Sequence, residues 1–151
     1  MTVRELGHLV LYVRDLGRSV DFYRDVLGWQ QVLPAPGEVP VGAAGFSSGR
    51  THHELLLIEV GEGAPHPGNG RRAGLYHIGL KVGDRDEELV AAWEELKSHG
   101  VPVLGTADHT VTHSLYLQDP DGNEIEIYVD VPGADWSDAE QVMAPIRELR
   151  L

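Results

Sequence analysis

The sequence predicts an α+β fold made of two βαβββ modules, and three observations carry that expectation. The chain repeats itself: GHLVLYVRDLGRSVDFYRDVLGWQQV from Gly7 is answered by YHIGLKVGDRDEELVAAWEELKSHGVPV from Tyr76. Each copy passes from period-two apolar alternation to the i, i+3, i+4, i+7 spacing of an amphipathic helix. Asp119-Pro120-Asp121-Gly122 then separates two alternating runs, as a tight turn would.

In the first copy, His8–Val13 alternates as a strand, and Asp15 follows it by two residues. Val20, Phe22, Tyr23, Val26 and Leu27 keep helical spacing up to Gly28, a C-terminal stop. Short strands are expected at 29–33, 42–47 and 53–60. In the second copy the lead strand is His77–Val82 and the matching acid is Asp84. Leu89, Val90, Trp93 and Leu96 mark its helix, which stops near Gly100, and strands are expected at 101–104, 112–118 and 123–129. The modules therefore span 6–60 and 75–130, joined by a Gly- and Pro-rich linker at 61–74. Residues 131–151 form a C-terminal tail, with a short helix expected from Ser137, an N-cap residue type, to about Met143. One helix cannot cover such a sheet alone. Two modules side by side give a curved mixed sheet with helices outside and a concave face open as a metal cleft.

Charge and composition narrow the partners. Lys and Arg number 12 against 24 Asp and Glu, a net charge of −12, whereas nucleic acid and anionic membranes need clustered cations. No cysteine is present, which removes disulfide scaffolds, thiolate metal sites and Cys nucleophiles together. No stretch reaches the ~18–20 apolar residues of a membrane span, and no signal-peptide pattern opens the chain. A soluble, cytoplasmic protein is expected. Its eight histidines are the feature to explain.

Strand parity locates the candidate chemistry. In Asn123–Val129, Ile125, Ile127 and Val129 share one face and Glu124, Glu126 and Tyr128 the other. The apolar face must meet a helix, so Glu126 points to the concave side in mid-strand. His8 and His77 hold equivalent positions at the starts of the two lead strands. Two imidazoles and one carboxylate on one side of a curved sheet make a facial triad, which suits Fe(II), with Mn(II) or another divalent metal as a variant. Taken singly, each of the three reads as a polar strand residue. Their repeat-equivalent placement is what favours the ligand set.

The repeat and its His/His/Glu pattern resemble the vicinal oxygen chelate superfamily, which includes glyoxalase I, antibiotic-resistance binding proteins and extradiol dioxygenases. The likeness covers about residues 6–130. The stretch from His109 through Tyr116, Pro120 and Gly122 to Glu126 is similar to the extradiol dioxygenase signature, with one departure at Ala107. The resemblance implies His8, His77 and Glu126 as metal ligands. It implies His53, second of the His52-His53 doublet before Glu54-Leu55, as the acid/base group. His109, in a mobile loop before the seventh strand, and Tyr116 would contact the ring oxygens. The activity implied is cleavage of a small aromatic diol by O2 next to its hydroxyls, and a homodimer is expected by the same analogy. His52, His66, His99 and His113 read as surface or loop residues.

Two other classes stay open. A glyoxalase-like lyase or isomerase would need a fourth protein ligand, a carboxylate in the first module where Glu126 stands in the second. Aligning the final strands by their ends puts Leu57 there, and a two-residue slip would bring Glu59 to that face. A non-enzymatic antibiotic- or metabolite-binding protein would have no use for the triad. Gly42-Ala43-Ala44-Gly45 lacks a dinucleotide fingerprint, and Arg71-Arg72 reads as solvated linker or a contact for an acidic substrate group.

Overall fold

The computed structural model describes residues 1–65 and 73–151. His66, Arg71, Arg72 and part of the expected linker lie outside the described residues. The chain divides into two compact units, Met1–Pro67 and Gly68–Leu151, each holding one βαβββ module.

In the first unit, β1 (Leu9–Val13) leads through a helix to β2 (Gln30–Leu33), β3 (Ala43–Ser47) and β4 (Leu55–Glu59). The sheet order is β1-β4-β3-β2, with β1 and β4 parallel and the other pairs antiparallel. Parity sends Leu11, Val13, Leu55, Leu57, Ala44 and Phe46 to the buried face. The helix closes that face with Leu16, Val20, Phe22 and Tyr23. Its first part, α1 (Leu16–Asp21), is capped by Asp15, whose Oδ1 accepts the Arg18 N–H at 2.8 Å. The next turn, Phe22–Val26, widens to a π-helix in which the Leu27 N–H donates to the Phe22 carbonyl at 3.0 Å. Phe22 and Tyr23 are both buried in this turn. Gly28, at φ 67°, ends the helix.

In the second unit, β5 (His77–Gly83) leads to α2 (Asp86–Ser98), then β6 (Gly105–Asp108), β7 (Thr112–Gln118) and β8 (Glu124–Asp130). The order β5-β8-β7-β6 repeats the first sheet, again with the lead and last strands parallel. Ile78, Leu115, Leu117, Ile125, Ile127 and Val129 are buried on one face, with Leu89 and Leu96 of α2 among the buried side chains. Asp86, Glu87 and Glu88 complement the dipole in the first turn of α2. Asp84 does not cap it. The Glu88 side chain instead reaches back to accept the Asp84 N–H at 2.8 Å. Asp119 organises the β7–β8 turn by accepting the Asp121 and Asn123 N–H groups at 3.0 and 2.8 Å.

Several expected boundaries move. The strand placed at 101–104 lies at Gly105–Asp108. Val101 spends its N–H on the Leu96 carbonyl at the helix end and Pro102 has none, so ladder pairing with β7 starts later. The lead strand begins at Leu9, leaving His8 just ahead of it. The short helix after β8, α3 (Ala139–Val142), is capped by Asp138 and not by Ser137, because the Ser137 N–H and hydroxyl both donate to Asp135. Among the described residues no helix is long and apolar enough to cross a membrane.

The packing sets distinct costs. Leu115→Ala is expected to lose about 2–5 kcal/mol by emptying the space under α2. Asp15→Ala should lose only about 1 kcal/mol by uncapping α1. Urea unfolding of both variants checks the order; a larger loss at Asp15 would contradict this account of the core.

Candidate functional site

The open face of the second sheet carries the polar residues that parity assigns to it. His77 faces Glu124 across the parallel β5–β8 pair, and Gly79 faces Glu126. Tyr116 on β7 is the antiparallel partner of Glu126. His77 Nε2 lies 3.1 Å from Glu126 Oε2, and His77 Nδ1 lies 3.3 Å from Glu124 Oε1. One imidazole is thus set between two carboxylates of the neighbouring strand. His77 Nδ1 and Glu124 Oε1 are both buried, and neither makes a hydrogen bond. Gly79 has no side chain to fill the space beside Glu126 Oε2, where a Cβ would come within 3.6 Å.

The other carboxylate oxygen of Glu126 ends a hydrogen-bonded chain. The Tyr116 hydroxyl donates to Glu126 Oε1 at 3.0 Å, and His109 Nε2 lies 2.7 Å from the same hydroxyl. The phenol has one proton and gives it to the carboxylate, so its oxygen accepts from His109 Nε2–H. That assigns the His109 tautomer. Burial, then the charge of Glu126 and the bond to it, push the Tyr116 pKa well above its ordinary value. The phenol therefore stays a proton donor throughout the physiological range.

In the first unit the histidines form a separate group. His53 and His8 have ring centroids 4.7 Å apart, and His52 Nδ1 meets His53 Nδ1 at 2.6 Å. Such a contact between two like nitrogens requires one to donate and the other to accept, which leaves His53 Nε2 uncommitted in it. Loss of solvation, then the neighbouring His52 and His8, lowers the His53 pKa below its ordinary value.

Of the residues expected from sequence, the structure brings His77, Glu126, Tyr116 and His109 together in the second unit, and His8 and His53 in the first. Among the described residues no group of three or more His, Asp or Glu is disposed to hold a metal ion. His77 and Glu126 supply an imidazole nitrogen and a carboxylate oxygen side by side, a donor pair that fits a divalent metal, with Glu124 behind the imidazole in the place of an orienting carboxylate. Glu124 had no role in the sequence reading, although its period-two spacing from Glu126 and the parallel register with His77 were the signals for it. His113 stands apart on the helix side, 2.6 Å from Asp86 and 3.7 Å from Asp108.

The two modules can be compared register by register. Leu9 pairs with Leu55 as Ile78 pairs with Ile125, so the first-module residue equivalent to Glu126 is Leu56. The end-to-end alignment that put Leu57 there is one residue out. Leu57 is fully buried on the helix face, as Ile127 is in the second module. Glu59 lies on that helix face too, and its Oε1 accepts the Leu16 N–H at 3.1 Å. The counterpart of Glu126 is a leucine either way, and Glu59 is occupied at the start of α1.

Comparison with known proteins agrees with this architecture. Residues 5–127 match the Glyoxalase/Bleomycin resistance protein/Dioxygenase superfamily. The chain is 36% identical over 131 residues to a catechol-2,3-dioxygenase of Bacillus subtilis (strain 168), covering 87% of this chain and 43% of that protein. It is 32% identical over 129 residues to biphenyl-2,3-diol 1,2-dioxygenase 2 of Rhodococcus globerulus, covering 83% and 63%. The chain thus spans less than two thirds of the length of these dioxygenases. A metallothiol transferase FosB of Staphylococcus epidermidis is 26% identical over 128 residues, covering 83% of this chain and 84% of that protein. A glyoxalase/dioxygenase crystal structure from Nostoc punctiforme shares the fold at a TM-score of 0.69 and 23% identity, covering 84% of this chain and 91% of that one. The repeated βαβββ topology and the match along most of its length place this chain in the Glyoxalase/Bleomycin resistance protein/Dioxygenase superfamily.

Proposed function

We propose that the protein is a metal-dependent extradiol-type dioxygenase that uses O2 to cleave a small aromatic diol. The observation that carries this reading is the His109–Tyr116–Glu126–His77 chain on the open face of the second sheet. The two dioxygenase relatives support it. His8, His77 and Glu126 are the proposed ligands. Leu56 argues against the four-ligand lyase or isomerase, since a leucine cannot ligate a metal.

When bound, Fe(II) or another divalent metal would supply Lewis-acid and redox chemistry toward the diol and O2. The protein's own groups handle the protons. His53, with its pKa lowered, is neutral near pH 7 and, in the tautomer whose Nδ1–H donates to His52 Nδ1, can take a diol proton at Nε2. Tyr116 gives its proton to Glu126 and accepts from His109, so either group reaches the second oxygen by exchanging that bond for one to the diol. Glu124 Oε1 stands 3.3 Å behind His77 Nδ1, the place from which a carboxylate can orient the ring once they hydrogen-bond.

Protein loaded anaerobically with Fe(II) is expected to consume O2 with a catechol and form a yellow ring-opened product. No uptake across a catechol panel, with metal shown to be bound, overturns the reading. Glu126→Gln should weaken metal binding by at least roughly tenfold, since losing even a supporting contact costs that much. Unchanged metal content by elemental analysis would remove it from the ligand set. His53→Phe should keep its metal and lower kcat by about 10²–10⁴, the usual share of a general acid/base group; wild-type turnover would exclude it.

A further inference from the structure

Thr110 has a φ of 71°, in the left-handed region that β-branched residues seldom enter. It follows His109 directly in the turn between β6 and β7. A strained residue persists where its surroundings over-determine it, and here they do. The Thr110 N–H donates to Asp108 Oδ1 at 2.7 Å, and Arg147 Nη2 donates to Thr110 Oγ1 at 3.3 Å. The His109 N–H donates to the Thr112 carbonyl at 2.9 Å.

Arg147 also grips the strand leading into this turn. The Asp108 N–H donates to the Arg147 carbonyl and the Arg147 N–H to the Asp108 carbonyl, both at 3.0 Å, forming an isolated antiparallel bridge. Thr106 Oγ1 donates to the Leu149 carbonyl at 3.1 Å. These bonds fall on β6, the edge strand of its sheet. An edge strand needs some cover, but cover alone explains neither the strain at Thr110 nor the side-chain bond from Arg147 to it. What the turn presents is His109, aimed at the Tyr116 hydroxyl.

We propose that residues 145–151 form a strap that positions His109, with Arg147 as its principal positioning residue. The strap fixes the turn from outside, so His109 meets Tyr116 in one orientation before any diol arrives. Its catalytic value rests on the function proposed above; its effect on His109 does not.

The test compares Arg147→Pro, Arg147→Ala and Arg147→Lys in the whole chain. Proline removes both the backbone donor and the guanidinium, alanine removes only the guanidinium, and lysine keeps the bridge and a donor. Residues 145–148 are exposed, so the core should survive, as thermal melts would verify. In metal-free protein labelled with ¹⁵N-histidine, Arg147→Pro should shift or broaden the His109 ring signals and leave those of His77 in place. Arg147→Ala should move the same signals less, and Arg147→Lys should restore them. In the Fe(II)-loaded enzyme, kcat should fall about tenfold or more, the scale of a small misplacement, with Fe(II) affinity unchanged. Wild-type His109 signals in the folded proline and alanine variants overturn the strap. Displaced signals in the variants, beside a wild-type Fe(II)-loaded protein that turns over no catechol, sustain the strap and sink the dioxygenase reading instead.

Discussion

Burial of Ile125, Ile127 and Val129 on the helix side of the second sheet decides where the charged residues of β8 must stand. A strand has two faces and no third choice, so Glu124, Glu126 and Tyr128 are delivered together to the opposite side. Parallel pairing with β5 then sets His77 against Glu124 and beside Glu126. Antiparallel pairing with β7 sets Tyr116 against Glu126. A slip of one residue would bury the carboxylates and expose three branched apolar side chains. The same hydrophobic force that stabilises the module therefore assembles its polar cluster.

The first module follows the same rule to a different end. Its equivalent strand, β4, keeps Leu55 and Leu57 inward but has Leu56 where the second has Glu126. The carboxylate nearest in sequence, Glu59, satisfies a backbone N–H at the start of α1. One module carries a paired imidazole and carboxylate; the other carries the group of His8, His52 and His53. Two copies of one topology thus carry unlike chemistry.

Much of this was legible from residues alone. Alternation in β8 placed Glu126, and the repeat singled out His8 and His77, because period and pattern are local properties. The exact register between strands is less accessible: strand ends alone point to Leu57, and only the pairing of β1 with β4 identifies Leu56. Glu124 was visible on the right face but had no role, since nothing local says that an imidazole lies opposite it. The strand after α2 was misplaced because Pro102 and the helix-end bond of Val101 postpone its pairing.

By itself, the sequence determined the α+β class, the twofold repeat, the face shared by Glu124, Glu126 and Tyr128 and the absence of cysteine chemistry. These follow from side-chain period, turn residues and composition, all of which act over a few residues. Only the tertiary structure decided that Tyr116 links His109 to Glu126, that Glu59 caps a helix, and that Arg147 holds the turn behind His109. Those contacts join residues from 7 to 43 positions apart. Distances and hydrogen-bond partners at such separations depend on how sheet, helix and strap pack together, and no local pattern encodes that.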